Sequence, residues 1–370
     1  MGTTTAPSHE VDAMDKRLIV WTLDSSDCNV HSELLSFSES PISDRFQPSV
    51  QKAPDLEAGL LKLAAGDSDL LAMPASIMRG NEALIAESGC SVIGARSPRR
   101  PNLVLVSPNR LFYQPKSAII VSDSNLVRRQ FMRARPDLTV ISPDDVKTGA
   151  RGKKAPSDDI DRARWLGQML DSGIIDGFVI SRAEYENSGQ TERRHTLMTS
   201  SQERGGPHFL PKPYSDLIVI VARRGFPKAM AELVTEPEGN TVLWIQSRIL
   251  GSLDEDLFEL LGIQVRHRQV GSLIREAEEE KDLVMLDACH NPEGEVKEDE
   301  VRVEVRMEII SADGRRTLEL HRLIPRSEFQ HATISLLRDW GQLLAETSRE
   351  VPRDHPSDAL APPFIQLHDS

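Results

Sequence analysis

Five short apolar runs, each bounded by turn-forming residues, constrain this chain more than any other feature. They lie at 18–21, 103–106, 118–121, 175–180 and 217–221 and are rich in Val, Ile and Leu. Runs of that length without polar alternation are what strands covered on both faces look like. Between them the apolar spacing turns helical. Leu56, Leu60 and Leu63 stop at Gly66, a C-cap signal; Leu126, Val127, Phe131 and Met132 stop before Pro136; Trp165, Leu166, Met169 and Leu170 stop before Gly173. Strand alternating with helix predicts an α/β architecture with largely parallel sheets.

The last third follows another rule. From Val301 to Ile309 apolar and charged residues alternate at period two, which predicts a strand with one wet face. Ser311-Ala312-Asp313-Gly314 signals a hairpin turn, and Thr317 to His321 supplies the returning strand. Ser327 with Gln330 reads as a capping box opening a helix through Ile334, Leu337 and Leu344. The sequence thus predicts a separate α+β domain at the end. The expected organisation is a disordered lead-in at 1–15, a first α/β domain at 16–108 with 206–226, and a second at 109–205. An α+β domain at 227–350 and a flexible tail at 351–370 follow, the tail with one docked segment at 364–367.

Asp plus Glu number 57 against 44 Lys plus Arg, a net charge of −13, which argues against a protein built to grip nucleic acid or an anionic membrane. His9, Glu10, Asp12 and Asp15 stand where a signal peptide needs an apolar stretch, and three cysteines do not make a disulfide framework. These features predict a cytoplasmic protein, a monomer without nucleic-acid or membrane partners. Within the acidic chain, residues 97–165 carry fourteen basic and seven acidic groups. That excess reads either as a solvated face or as a basic cleft for an anionic ligand, since arginine matches carboxylates.

Two local patterns carry chemistry. Ser122-Asp123-Ser124-Asn125-Leu126-Val127-Arg128-Arg129 follows a strand and opens a helix, an arrangement that offers hydroxyls and free backbone N–H groups to an anion. Asp287-Ala288-Cys289-His290-Asn291-Pro292 places a lone cysteine beside a histidine; an inert thiol is the plain alternative to a reactive one, and with His267 the spacing is wrong for zinc, so no metal site is expected. No GxGxxG, Walker A, GxSxG or HExxH pattern occurs.

In order and spacing these patterns resemble hydroxymethylbilane synthase, also called porphobilinogen deaminase. The family's strand, Gly-Thr-Ser-Ser-Leu-Arg-Arg and helix are similar to the stretch from Ala118 through Arg129 to Leu138. Its cysteine loop resembles Ala288-Cys289-His290-Asn291-Pro292-Glu293-Gly294, and its hairpin Ala312-Asp313-Gly314. The resemblance implies two periplasmic-binding-protein-like α/β domains around a cleft plus a small C-terminal α+β domain. It further implies a transferase of tetrapyrrole (porphyrin, heme) biosynthesis, condensing four porphobilinogen units head to tail with loss of ammonia. Cys289 would hold the covalent dipyrromethane cofactor, and Ser122, Ser124, Arg128, Arg129 and Arg151 would bind substrate carboxylates.

The family's proton-transfer aspartate, however, falls on Ile77, and its neighbouring lysine on Ser76. An isoleucine neither donates nor accepts a proton. Asp24, Asp27, Asp67 and Asp69 are the nearest acids in sequence. Two readings follow: a synthase that recruits another acid, or a catalytically inactive family member that binds an anionic ligand or regulates a partner, with acidic residues 276–282 as one surface for it.

Overall fold

The structure is a computed structural model describing residues 18–38, 48–97, 102–147, 154–200, 207–215, 217–290, 293–296, 300–348 and 364–367. The lead-in at 1–15, Arg151 and most of the tail lie outside these residues.

Three sheets organise the chain. The first runs in the order β2 (Ser49–Lys52), β1 (Ile19–Thr22), β3 (Leu70–Pro74), β10 (Ile218–Arg223), β4 (Cys90–Arg96). β1 pairs parallel with β2 and β3, whereas β10 is antiparallel to both its neighbours. The second runs β7 (Thr139–Ile141), β6 (Ile119–Ser122), β8 (Gly177–Ser181), β5 (Leu103–Val106), β9 (Arg194–Thr196). Here β6 is parallel to β7 and β8, and β5 antiparallel to β8 and β9. The chain crosses from the first sheet to the second after β4 and returns at β10. This is the architecture of two periplasmic-binding-protein-like α/β domains with a smaller α+β domain following them. The run at 103–106, placed with the first unit on sequence, lies in the second sheet, where it pairs with β8 and β9.

The buried runs are strands because both faces of these sheets are covered. β3 and β8 are buried at every residue, and apolar clusters lie on each side of each sheet. Gly66 ends the helix Leu56–Ala65 in the left-handed conformation the sequence called for, at φ 86°.

The third sheet, β11 (Leu261–Gln269), β12 (Val301–Ile310) and β13 (Thr317–Pro325), is antiparallel throughout. It is not a separate core. Val303, Val305, Met307 and Ile309 point from β12 into the same apolar cluster as Leu71, Met73 and Val219 of the first sheet, with the helices Pro237–Leu250 and Phe329–Thr347. The capping box at Ser327 and Gln330 is not made. A 3-10 turn, Arg326–Glu328, leads into the last helix, whose N-cap is Glu328 without a side-chain cap.

The other face of β12 is charged, and it holds the second domain. From the helix Asn125–Ala134, Gln130 donates to Glu308 Oε1 (2.8 Å) and Arg133 to Glu308 Oε2 (2.5 Å), with His208 Nε2 2.9 Å away. Arg129 donates to the carbonyls of Ile310 (2.9 Å) and Leu367 (2.8 Å). The β12–β13 turn closes on the same helix. Gly314 has φ 70°, and an added Cβ would come within 2.6 Å of Met132 Cβ and 3.2 Å of Arg133 N. Segment 364–367 seals this junction, with Ile365 1% exposed and paired to Thr347 O.

Candidate functional site

The strand ends determine where a ligand can sit. In open α/β sheets the crevice beyond the carboxyl ends of the strands is the binding position, because loops and helix N-termini converge there. β6 ends at Ser122 and β8 at Ser181, and the loop after β1 carries Ser26 and Asp27 from the first domain. All four residues line a cavity of about 250 Å³ between the two domains. Lys212 and Ser215, on the returning crossover, complete its wall. The domains also touch directly beside it: Ser26 Oγ donates to Asp159 Oδ2 (2.5 Å) and Asn187 to Asn29 Oδ1 (2.8 Å).

Each polar group on the second domain is set by a helix start. Ser124 caps the helix Asn125–Ala134 by accepting from Val127 N, and Asp158 caps the helix Asp159–Asp171 by accepting from Asp161 N. Ser181 and Glu184 form a capping box: Ser181 Oγ accepts from Glu184 N (3.0 Å) and Glu184 Oε2 from Ser181 N (2.6 Å). Ser122 differs from these. It is 2% exposed, lines the cavity, and its hydroxyl makes no hydrogen bond with the described residues. Asn102 Oδ1, in the same wall, is the atom of the two that is itself buried without a partner. Buried polar atoms left in that state are costly unless a ligand satisfies them.

The electrostatics run against the basic cleft read from the sequence. Asp27, Asp123, Asp159 and Glu184 line the cavity, against Arg162 and Lys212 among the described residues. Arg162 is spent on Asp123 and Asp159, and Lys212 reaches Glu259 at 3.2 Å. Four other arginines of the basic stretch have structural work. Arg128 folds back onto the carbonyls of Ser122 (2.8 Å) and Asp123 (2.9 Å), Arg129 and Arg133 hold the third domain, and Arg135 pairs with Asp137. Of the residues proposed for substrate carboxylates, Ser122 and Ser124 are in the cavity wall, whereas Arg128 and Arg129 are not.

Burial pushes the Glu184 carboxyl above the ordinary Glu range; Ser181 pulls it back, and the nearby Asp159 and Asp27 push it up further. The folded chain therefore binds this proton more tightly than the unfolded one. The stability it lends is present below the ordinary Glu value and is lost as pH rises through the raised one. Glu184→Gln keeps a capping-box residue and removes the titration. The gap in stability between variant and parent is expected to widen in the variant's favour from pH 4.5 to neutrality, read as urea midpoints.

Cys289 lies elsewhere. It caps the short helix Leu283–Ala288, is 2% exposed, and packs with Val270, Leu273, Ala277 and Met285; burial pushes its thiol up while Arg302 and Arg268 draw it down. His290 is turned to Leu286 O at 2.8 Å. Ile77 sits in the helical turn after β3 and packs on the main core. Of the four nearest acids, Asp27 alone lines the cavity; Asp24 pairs with Lys52, Asp67 with Lys62, and Asp69 accepts from Ile19 N. Among the described residues the single cluster with metal-ligand spacing is His208, Glu308 and Glu319, where Arg133 and Arg306 already occupy the carboxylates.

The chain is similar in structure to several solved proteins. Lipoprotein Tp32 from Treponema pallidum matches at 13% identity over 63% of this chain and 90% of that one, with a TM-score of 0.31. A periplasmic substrate-binding protein of an ABC transporter from Coxiella burnetii matches at 15% over 62% and 95%, TM-score 0.30. A nutrient-binding protein from Burkholderia cenocepacia, bound to methionine, matches at 14% over 60% and 92%, TM-score 0.31. No protein-family model and no curated protein matches the chain.

These findings correct four expectations. The neighbours are binding proteins and lipoproteins, not hydroxymethylbilane synthases, so the resemblance is set aside. With it go porphobilinogen condensation and the assignment to tetrapyrrole biosynthesis. The cytoplasmic assignment is set aside as well, since the neighbours include lipoproteins and a periplasmic protein. Among the described residues no helix is long and apolar enough to cross a membrane. The sequence motifs misled because a strand, a Ser/Asn-rich turn and a helix recur wherever a parallel strand feeds an α/β crossover.

Proposed function

We propose that this chain is a small-molecule-binding protein whose ligand sits in the cleft between its two α/β domains. One observation carries the reading: the cavity lies beyond the carboxyl ends of β6 and β8, faced by the loop after β1, with the buried Asn102 Oδ1 unmatched in its wall. The ligands of neighbours such as the methionine-bound protein from Burkholderia cenocepacia belong to the same broad class, small molecules. Ligand binding is the second of the two readings open from the sequence; its anionic form does not fit the carboxylates that line the cavity.

The test is a thermal-shift screen of cationic, neutral and anionic small molecules against the parent and Ser26→Trp. Ser26 is half-buried on the first-domain rim, so tryptophan there fills the cleft without entering a core. At least one compound is expected to raise the melting temperature of the parent and to lose that effect in the variant. A shift that survives Ser26→Trp places the ligand elsewhere, and the absence of any shift removes the proposal.

A further inference from the structure

Granted that the cleft is the ligand site, we infer that its ligand is a small organic cation bearing N–H donors, an alkylamine or alkylguanidine, held by Asp27 and Glu184.

The charge of the wall comes first. Four carboxylates and two cations face the cavity among the described residues, and both cations are already engaged. Arg162 also donates to the carbonyls of Pro156 and Ser157, so its guanidinium is turned to its own helix start. Asp159 is shared between Arg162 and Ser26, and Asp123 takes Arg162 at 3.2 Å. Asp27 and Glu184 have only hydroxyl or backbone N–H partners, namely Ser25 Oγ at 2.6 Å for Asp27 and Ser181 for Glu184. Two carboxylates without a cation, in one partly buried wall, repel each other until a positive group arrives.

The kind of cation follows from what else is present. A metal ion needs ligand atoms gathered around a point, and no three lining carboxylates bring oxygens within 4.8 Å of one another. A quaternary ammonium is recognised by aromatic faces, and among the described residues no aromatic ring lines this cavity. The wall offers acceptors instead: the two carboxylates, the Asn102 Oδ1 without a donor and the free Ser122 hydroxyl. Leu103, Val127, Leu166 and Ile180 supply apolar surface for a short alkyl chain. About 250 Å³ suits a molecule of that size.

Helix dipoles provide the opposing consideration. The helices Asp159–Asp171 and Arg182–Ser188 carry acids in their first turns, which offset their positive ends. The helix Asn125–Ala134 carries none, so an anion at its start is the rival outcome.

Calorimetric titration of the full chain with 1,4-diaminobutane, butylguanidine, tetramethylammonium, butane-1,4-diol and glutarate separates the cases. The diamine or the guanidine is expected to bind, with affinity falling about thirtyfold or more in Asp27→Asn and in Glu184→Gln. Tetramethylammonium, the diol and glutarate are expected not to bind. Both substitutions are isosteric, and the second preserves the capping box, so folding is checked by a single cooperative melting transition in each variant. Glutarate or diol binding that Ser26→Trp abolishes would overturn the cationic ligand and leave the cleft reading intact. Tetramethylammonium binding equal to the diamine, or amine binding indifferent to both substitutions, overturns the role given to the N–H donors and the two acids. If no probe of any charge binds, the inference fails, and the thermal-shift screen decides the cleft reading separately.

Discussion

Glu308→Ala is expected to destabilise the protein by about 3–5 kcal/mol, because it removes a fully buried anion from the donors that converge on it. Glu308 is 0% exposed and receives Gln130 and Arg133 from the second domain and His208 from the crossover. Burial, the largest single influence, pushes its carboxyl up, yet His208 and Arg133 together hold it below the usual range. Alanine leaves the Arg133 guanidinium, 19% exposed, without the carboxylate it pairs with. Its second donor still reaches the His208 carbonyl, so the charge stays where it is, unpaired. Replacing both partners, as in Glu308→Leu with Arg133→Met, is expected to recover much of the loss, since a well-packed apolar pair often equals a buried ion pair. Urea unfolding of the single and double variants measures this. A single variant within about 1 kcal/mol of the parent would show that the junction between the second and third domains contributes little.

That junction bears on function through one helix. Asn125–Ala134 starts at the cavity wall with Ser124 and, one turn later, holds the third domain with Arg129, Gln130 and Arg133. The paired arginines that the sequence offered as ligand contacts are therefore structural here. Burial decides the difference, and burial depends on the third domain's position, which no local pattern carries. The strands at 18–21, 103–106 and 217–221 were legible because their residues are apolar on both faces, a local property. β11 is harder to read: Leu261, Ile263 and Val265 alternate with Gln264 and Arg266, but its partner Val301–Ile310 lies beyond two helices, so no turn signal joins the pair. The acidic wall was illegible for a related reason. It is assembled from Asp27, Asp123, Asp159 and Glu184, which lie far apart in the chain. Counting the basic excess at 97–165 could not reveal that Arg128, Arg129, Arg133 and Arg135 are engaged by backbone carbonyls and acids.

Trp340→Ala is expected to cost about 3–5 kcal/mol, and the loss should be felt in the first domain as well as the third. Trp340 is 0% exposed on the last helix and belongs to the cluster that joins Leu71 and Met73 of the first sheet to Val305 and Met307 of the third. Its indole N–H has no partner among the described residues, so packing alone holds it. Trp340→Phe relieves that unmatched donor while keeping most of the apolar volume, and should cost far less than alanine. Trp21, on β1 and packed against the same cluster, reports on the first domain. With Trp340 replaced in a background where Trp165 and Trp244 are phenylalanine, so that Trp21 alone emits, its fluorescence should change in the same denaturant transition as the loss of helix, at a lower midpoint than in the same background with Trp340 kept. Two separate transitions, with the first domain unmoved, would mean that the shared core is only an interface. A single shifted transition means that the cleft's first wall cannot persist without the third domain, which makes that domain part of the cleft's frame.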